Sequence, residues 1–224
     1  MSKRLCLVGA TGLVGRAVIE RAVSRSDVRI VGVARREIPL PYGARMEMLL
    51  AEPSGWPDAI ASANAEVLVC ALGTTIRKAG SQEAFRAVDH DLVLDTARAA
   101  RAAGIERMIV ISSVGADLAA KNSYLRTKGE VENDVGKLGF KRLDILRPGL
   151  LVGQREDDPR PAERAGMLFS PLIDLVLQGK YRKYRSIKVS RLADVIFALA
   201  FEKAGGKFVH EHDAFARILR RVGD

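Results

Sequence analysis

Leu7-Val8-Gly9-Ala10-Thr11-Gly12-Leu13-Val14-Gly15 decides how this chain is read. A short apolar run enters three glycines at a spacing of three, and a helical pattern follows from Leu13 to about Ser24. A tight turn needs Gly9, a phosphate can approach the backbone closely where Gly12 lacks a Cβ, and Gly15 lets the following helix lie against the strand. The unpaired N–H groups and positive end of that helix then form a place for a pyrophosphate. Taken alone, three spaced glycines also occur in ordinary loops, so the weight rests on what surrounds them.

What surrounds them is an alternation of strands and helices. Val28 to Ala34 is a β-branched run, and Glu47 to Leu50 a short one. Asp58 to Ala63 reads as a short helix before an apolar strand from Val67 to Leu72. Gln82 to Ala103 is a long amphipathic stretch stopped by Gly104, as a helix C-cap predicts. Arg107 to Ser112 is apolar on both sides, Lys121 to Leu138 is helical and stopped by Gly139, and Arg142 to Leu146 begins a sixth strand closed by Arg147-Pro148-Gly149. Strands with no polar alternation, separated by helices, predict a parallel sheet covered on both faces. The fold class is therefore α/β: a Rossmann-like, doubly wound parallel sheet of about seven strands. Beyond Leu150 come a polar loop, Gln154 to Arg164, an apolar helix near Met167 to Leu177, and a helix over Leu192 to Glu202. These predict a small C-terminal cap, residues 150–224, on a single dinucleotide-binding domain of 1–224, placed where ligands bind in such sheets.

Composition narrows the class. The chain has 224 residues, 48% of them hydrophobic, enough for one large core without a linker or repeat. No apolar run approaches the ~20 residues of a membrane span, and no apolar leader follows Lys3 and Arg4, so the sequence predicts a cytoplasmic protein. Cys6 and Cys70 lie inside strand-like runs and read as buried, reduced side chains, and the three histidines lack zinc-ligand spacing with them. With 36 Lys plus Arg against 27 Asp plus Glu, the net charge is +9. An anionic ligand fits that balance. Nucleic acid fits it less well, because the densest basic run, Lys180 to Lys188, carries two aromatics and matches no nucleic-acid module.

The dinucleotide is read from the end of the second strand. An NAD site places a carboxylate about 20 residues beyond the glycines to take the ribose hydroxyls. Arg35 and Arg36 stand there instead, and guanidinium groups can hold the 2′-phosphate of NADP(H) bidentately where a carboxylate would repel it. Ala71, Leu72 and Gly73, closing the fourth strand, are small enough at the sheet edge to pass beneath the cofactor.

Ser112-Ser113 ends the fifth strand, and Tyr124 and Lys128 follow on one face of the next helix. A free tyrosine, with a pKa near ~10, exchanges protons poorly at neutral pH unless a cation stabilises its phenolate, and Lys128 supplies one. A tyrosine and a lysine four apart recur in many amphipathic helices; the upstream serines and the glycine turn give this pair its meaning. It predicts that Tyr124 exchanges a proton with a substrate oxygen while a serine hydroxyl polarises the carbonyl.

In these features the chain resembles the short-chain dehydrogenase/reductase superfamily, in particular atypical members with a Gly-Ala-Thr-Gly start, and within them the Tat-interacting-protein oxidoreductase family. The resemblance runs over nearly the whole chain and is carried by Cys70-Ala-Leu-Gly-Thr-Thr75 with Lys78-Ala-Gly80, Val88-Asp89, Ile111-Ser-Ser-Val-Gly-Ala-Asp117, Ser123-Tyr-Leu-Arg-Thr-Lys-Gly-Glu-Val-Glu132 and Leu146-Arg-Pro-Gly149. It implies a catalytic Ser/Tyr/Lys set of Ser113, Tyr124 and Lys128, with Ser112 as the alternative serine. It also implies an NADP(H) site formed by Gly9, Thr11, Gly12, Leu13, Val14, Gly15, Arg35, Arg36, Ala71, Leu72, Gly73, Lys128 and Pro148. The asparagine that many superfamily enzymes use after the fourth strand has no counterpart between Gln82 and Ala103.

Three functions follow as expectations: an NADPH-dependent oxidoreductase acting on a small carbonyl or alcohol, a non-catalytic NADPH-binding redox sensor working through protein partners, and an epimerase or dehydratase of nucleotide sugars. The third normally needs a larger substrate domain than the stretch after Leu150 provides. The loop Arg155 to Arg164 reads equally as a lid or a surface loop, and Lys180 to Lys188 as a rim of the substrate opening or a solvated face. The two long helices would serve a homodimer or stay exposed.

Overall fold

The computed structural model describes residues 2–153 and 177–223. Seven strands make one sheet: β1 (Lys3–Val8), β2 (Val28–Ala34), β3 (Met46–Leu50), β4 (Val67–Cys70), β5 (Arg107–Ile111), β6 (Arg142–Leu146) and β9 (Gly206–His210). Their spatial order is β3-β2-β1-β4-β5-β6-β9, and every pairing is parallel. Two further short strands, β7 (Leu151–Val152) and β8 (Ile187–Lys188), pair with each other outside the sheet.

The winding reverses between β1 and β4, and there the register matters. Leu5 pairs with Val67 and Val8 with Cys70, so the two strands finish level. Ligands of doubly wound sheets sit outside the carboxyl ends of the strands at this reversal. The glycine turn after β1 and Ala71-Leu72-Gly73 after β4 therefore emerge side by side.

Helices cover both faces because the strands alternate two apolar faces. Leu5, Leu7, Val67 and Val69 face α1 (Leu13–Ala22), α7 (Val189–Phe201) and α8 (His212–Gly223). Cys6, Val8, Leu68 and Cys70 face α2 (Trp56–Ser62), α5 (Leu92–Ala102) and α6 (Ser123–Val135). Both cysteines are free and wholly buried.

Two regions differ from the sequence reading. The stretch from Gln82 to Ala103 is not one α-helix: α3 (Ile76–Ala79) precedes α4 (Gln82–Arg86), a π-helical turn occupies Ala87–Asp91, and only then does α5 begin. Beyond β6, the helix expected near Leu192 is α7, which buries Leu192, Val195, Ile196, Phe197 and Leu199 against α1 and the sheet. Strand β9 and helix α8 follow it and complete the sheet on its β6 side. Among the described residues, β7, β8 and a 3₁₀ segment, Gly179–Tyr184, whose backbone presses on Gly149, stand at the carboxyl ends of the strands. The expected polar loop, Gln154 to Arg164, and most of the expected helix near Met167 to Leu177 lie outside the described residues.

Candidate cofactor and proton-transfer site

Gly9 turns the chain with φ +94°, and a Cβ on it would stand 2.5 Å from the Ala71 carbonyl. It thus meets both a left-handed conformation and a close approach of the β4 strand end. Gly12 caps α1, with no side chain closing the helix start and no acidic residue in the first turn. The Gly12 N–H donates to the Gly9 carbonyl at 3.0 Å, and the space where its Cβ would be is bounded by that oxygen at 3.3 Å and by the Ala71 carbonyl at 3.7 Å. The result is a positive helix end floored by backbone, with no side chain among the described residues capping it, which fits an anion. Thr11 is exposed beside it, Leu13 is half-buried, and Val14 and Gly15 are buried under the helix. Arg35 and Arg36 follow β2 directly on the same edge of the sheet, and both are exposed.

The end of β4 is tied to a buried ion pair. Lys128, 5% exposed, places Nζ 2.7 Å from Oδ1 of Asp89, which is wholly buried. The other oxygen of Asp89 accepts the Thr74 N–H at 2.6 Å. No described group directs a well-aligned hydrogen bond at Asp89 Oδ1, so its contact with Lys128 is ionic. Gly73 lies over the pair, since a Cβ there would be 3.4 Å from Oδ1 and 3.9 Å from Nζ. The sequence reading quoted Asp89 in the motif Val88-Asp89 but gave it no role. Its signal was available: Phe85, Asp89 and Val93 are spaced four apart on one stripe, and a carboxylate on an apolar stripe needs a buried partner. The π turn is what carries Asp89 inward at that point.

Tyr124 opens α6 one turn before Lys128, half-buried, with its ring 5.5 Å from that of Phe85. Helix α6 starts there because Asn122 caps it, accepting the Leu125 N–H at 3.3 Å. The serine loop reaches the helix through Gly129, where a Cβ would collide with Asp117 at 2.5 Å and Leu118 at 2.7 Å. Gly115, at φ +82°, turns that loop beside Leu125, and the Val114 N–H donates to the buried Pro148 carbonyl at 3.0 Å.

The two adjacent serines are not equivalent. Ser112 is buried and donates to Glu132, which is clamped by Arg147 through Nε at 2.9 Å. That hydrogen bond from the guanidinium, with the carboxylate's charge, raises the Arg147 pKa. Ser113 is half-buried, and its hydroxyl has only a long contact, 3.4 Å, with the Val114 carbonyl. Glu132 and Arg147 thus hold Ser112 as part of the frame, while the Ser113 hydroxyl remains available on the loop.

A cavity of about 290 Å³ opens elsewhere, at the amino-terminal edge of β2 and β3, lined among others by Arg25, Arg29, Arg45 and Met46. None of the residues above lines it. The glycines, buried charges and hydroxyls converge at the opposite edge. The basic run from Lys180 to Lys188 falls near that edge, because the Tyr184 and Arg185 carbonyls lie 2.7 and 2.6 Å from where a Gly149 Cβ would be.

The seven-stranded parallel sheet with helices on both faces defines a Rossmann-like α/β protein. The family model HIM1 matches residues 57–174, just over half of the chain, and the chain belongs to the HIM1 family. It is 38% identical over 173 residues to protein fmp52, mitochondrial, of Emericella nidulans, a match that covers 74% of each chain. Among solved structures it resembles MoeE5 in complex with UDP-glucuronic acid and NAD, at TM-score 0.68, 20% identity, covering 92% of this chain and 74% of that one. It also resembles the Bordetella bronchiseptica enzyme WbmG in complex with NAD and UDP, at TM-score 0.67, 16% identity, covering 100% and 79%. These two likenesses show the fold. The name of the E. nidulans relative overturns the cytoplasmic expectation. The expectation rested on the lack of an apolar run, and that speaks only to crossing a membrane: among the described residues no helix is long and apolar enough to do so.

Proposed function

We propose that the chain is an NADP(H)-dependent oxidoreductase of the short-chain dehydrogenase/reductase type, akin to the Tat-interacting-protein oxidoreductases, acting on a small carbonyl compound or its alcohol. The observation that carries this reading is the meeting of the glycine turn, Gly73, and the Tyr124–Lys128 face of α6 at the reversal point of the sheet. The first turn of α1, from Thr11 to Gly15, would hold the pyrophosphate, Arg35 and Arg36 the 2′-phosphate, and Ala71 to Gly73 the adenosine side. Lys128 and the Pro148 segment would flank the nicotinamide ribose. A bound nicotinamide would supply or accept the hydride. Tyr124 would give or take the proton at the substrate oxygen, Lys128 would stabilise its phenolate, and Ser113 would donate a hydrogen bond to the same oxygen. Residues 1–224 would act as one unit, with Leu150–Val152 and Gly179–Lys188 on the substrate side and the later elements completing the sheet.

A second reading, an epimerase or dehydratase of nucleotide sugars, is favoured by the UDP ligands of the two solved neighbours. Fluorescence titration with NADPH and NADH, followed by turnover assays on a carbonyl panel and on UDP-sugars, separates the readings. Saturable NADPH binding and carbonyl-dependent NADPH oxidation that disappears in Tyr124→Phe is the expected result. Conversion of a UDP-sugar without net NADPH consumption would establish the second reading, and failure to bind either dinucleotide would end both.

A further inference from the structure

We propose that Asp89 is the positioning residue for Lys128, fixing the ammonium beneath the end of β4. The proposal rests on the reading of Tyr124 and Lys128 as the proton-transfer pair.

Asp89 is wholly buried on an otherwise apolar stripe, where a hydrophobic side chain would pack without the cost of desolvating a carboxylate. The backbone departs from the α-helix at the same point, and π turns inside α-helical segments are concentrated at functional sites. The carboxylate joins three elements. One oxygen takes the Thr74 N–H after β4, the other meets Lys128 of α6, and the residue itself belongs to the turn before α5. Gly73, part of the strip assigned to the cofactor, lies directly over both charges. A lysine side chain has many rotamers to lose, so an ammonium held this way is in place before any ligand arrives.

The Cys70 thiol of β4 senses both charges of the pair, and burial pushes it up to about 11.

The test needs neither substrate nor cofactor. Crystal structures of the wild type and Asp89→Asn are compared at Lys128, beside thermal unfolding of Asp89→Asn, Lys128→Met and the double variant. Asp89→Asn should leave the Lys128 ammonium displaced from beneath Gly73, and the loss of melting temperature that it causes should shrink in the Lys128→Met background. A folded Asp89→Asn protein with Lys128 Nζ unmoved, or an equal loss in both backgrounds, would overturn the proposal. If Asp89→Asn does not fold, the double variant decides. Recovery of the native circular dichroism in Asp89→Asn/Lys128→Met supports the pairing, and its failure overturns it. Loss of NADPH binding in the unmodified protein would instead count against the oxidoreductase reading and leave the Lys128 displacement as measured.

Discussion

A Cβ on Gly15 would stand 2.2 Å from the carbonyl oxygen of Gly9, so α1 begins with its backbone laid directly on the turn that precedes it. No side chain can relieve that contact, because the atom it meets is main chain. Gly15→Ala must push the helix off the turn, at roughly 1–3 kcal/mol for overpacking, or about 2–4 °C of melting temperature per kcal/mol in a domain of this size. The same displacement moves the N–H groups of Leu13 and Val14. Calorimetry should show the lower melting temperature and fluorescence titration a loss of NADPH affinity. A variant with wild-type values for both would mean the close approach is relaxed in solution.

Arg35 and Arg36 are exposed at the carboxyl end of β2, so exchanging them should disturb recognition and little else. Hydrogen bonds to charged groups contribute about 1.5–3 kcal/mol each, which is roughly tenfold to 150-fold in affinity. Arg35→Asp/Arg36→Ser should lose NADPH binding by at least the smaller factor while NADH binding holds or improves and the melting temperature stays within a degree or so of wild type. Equal weakening of both dinucleotides would remove these arginines from the 2′-phosphate site.

The neighbouring serines should separate cleanly. Ser112 is locked to Glu132, and Ser112→Ala strips one donor from a buried carboxylate at about 1.5–3 kcal/mol, leaving Arg147 as its remaining clamp. Ser113 has no comparable partner. Unfolding in urea should therefore show Ser112→Ala destabilised and Ser113→Ala near wild type. Carbonyl-dependent NADPH oxidation should show the reverse ranking, with Ser113→Ala down by two orders of magnitude or more, as for removal of a transition-state hydrogen-bond donor. Opposite rankings would assign the hydroxyl role to Ser112.

How far these features were legible in the sequence depends on how local their causes are. The boundaries of β2 and β6 read correctly because β2 is apolar but for the exposed Arg29 and β6 is buried throughout, its Arg142 and Asp144 paired with each other, and Gly104 stopped α5 as its positive φ requires. Strand β9 was missed because an edge strand half open to solvent shows no apolar run: Lys207 and Val209 are exposed and Phe208 half-buried. The π turn was invisible because one added residue per turn leaves composition and approximate period intact. Asp89 was quoted in a motif and stood on a legible apolar stripe, but its partner was not legible, since Lys128 is 39 positions away and only the fold brings them together. Gly129, quoted within a motif, has a purpose visible only when the Asp117–Leu118 backbone is seen lying on it.

Cys6 and Cys70 stand on adjacent strands within the same core layer. Burial pushes the Cys6 thiol up to about 12, with Cys70 adding to the rise, and burial pushes Cys70 up to about 11. An unfolded chain releases thiol protons near pH ~8.5, so above that point the folded protein holds more protons than the unfolded one. The thiols' contribution to stability is thus intact below about pH 8.5 and is lost progressively as pH rises toward 11 and then 12. Denaturant unfolding of the wild type against Cys6→Ala/Cys70→Ala should show the wild type losing stability more steeply from pH 8.5 to 10. At pH 8, iodoacetamide should leave the native protein unlabelled and add two groups once denaturant is present, at a rate in the native protein set by global opening. Prompt labelling of either thiol in the native state would show that the layer between the sheet and α2, α5 and α6 opens locally, and the steeper alkaline loss should then be absent as well.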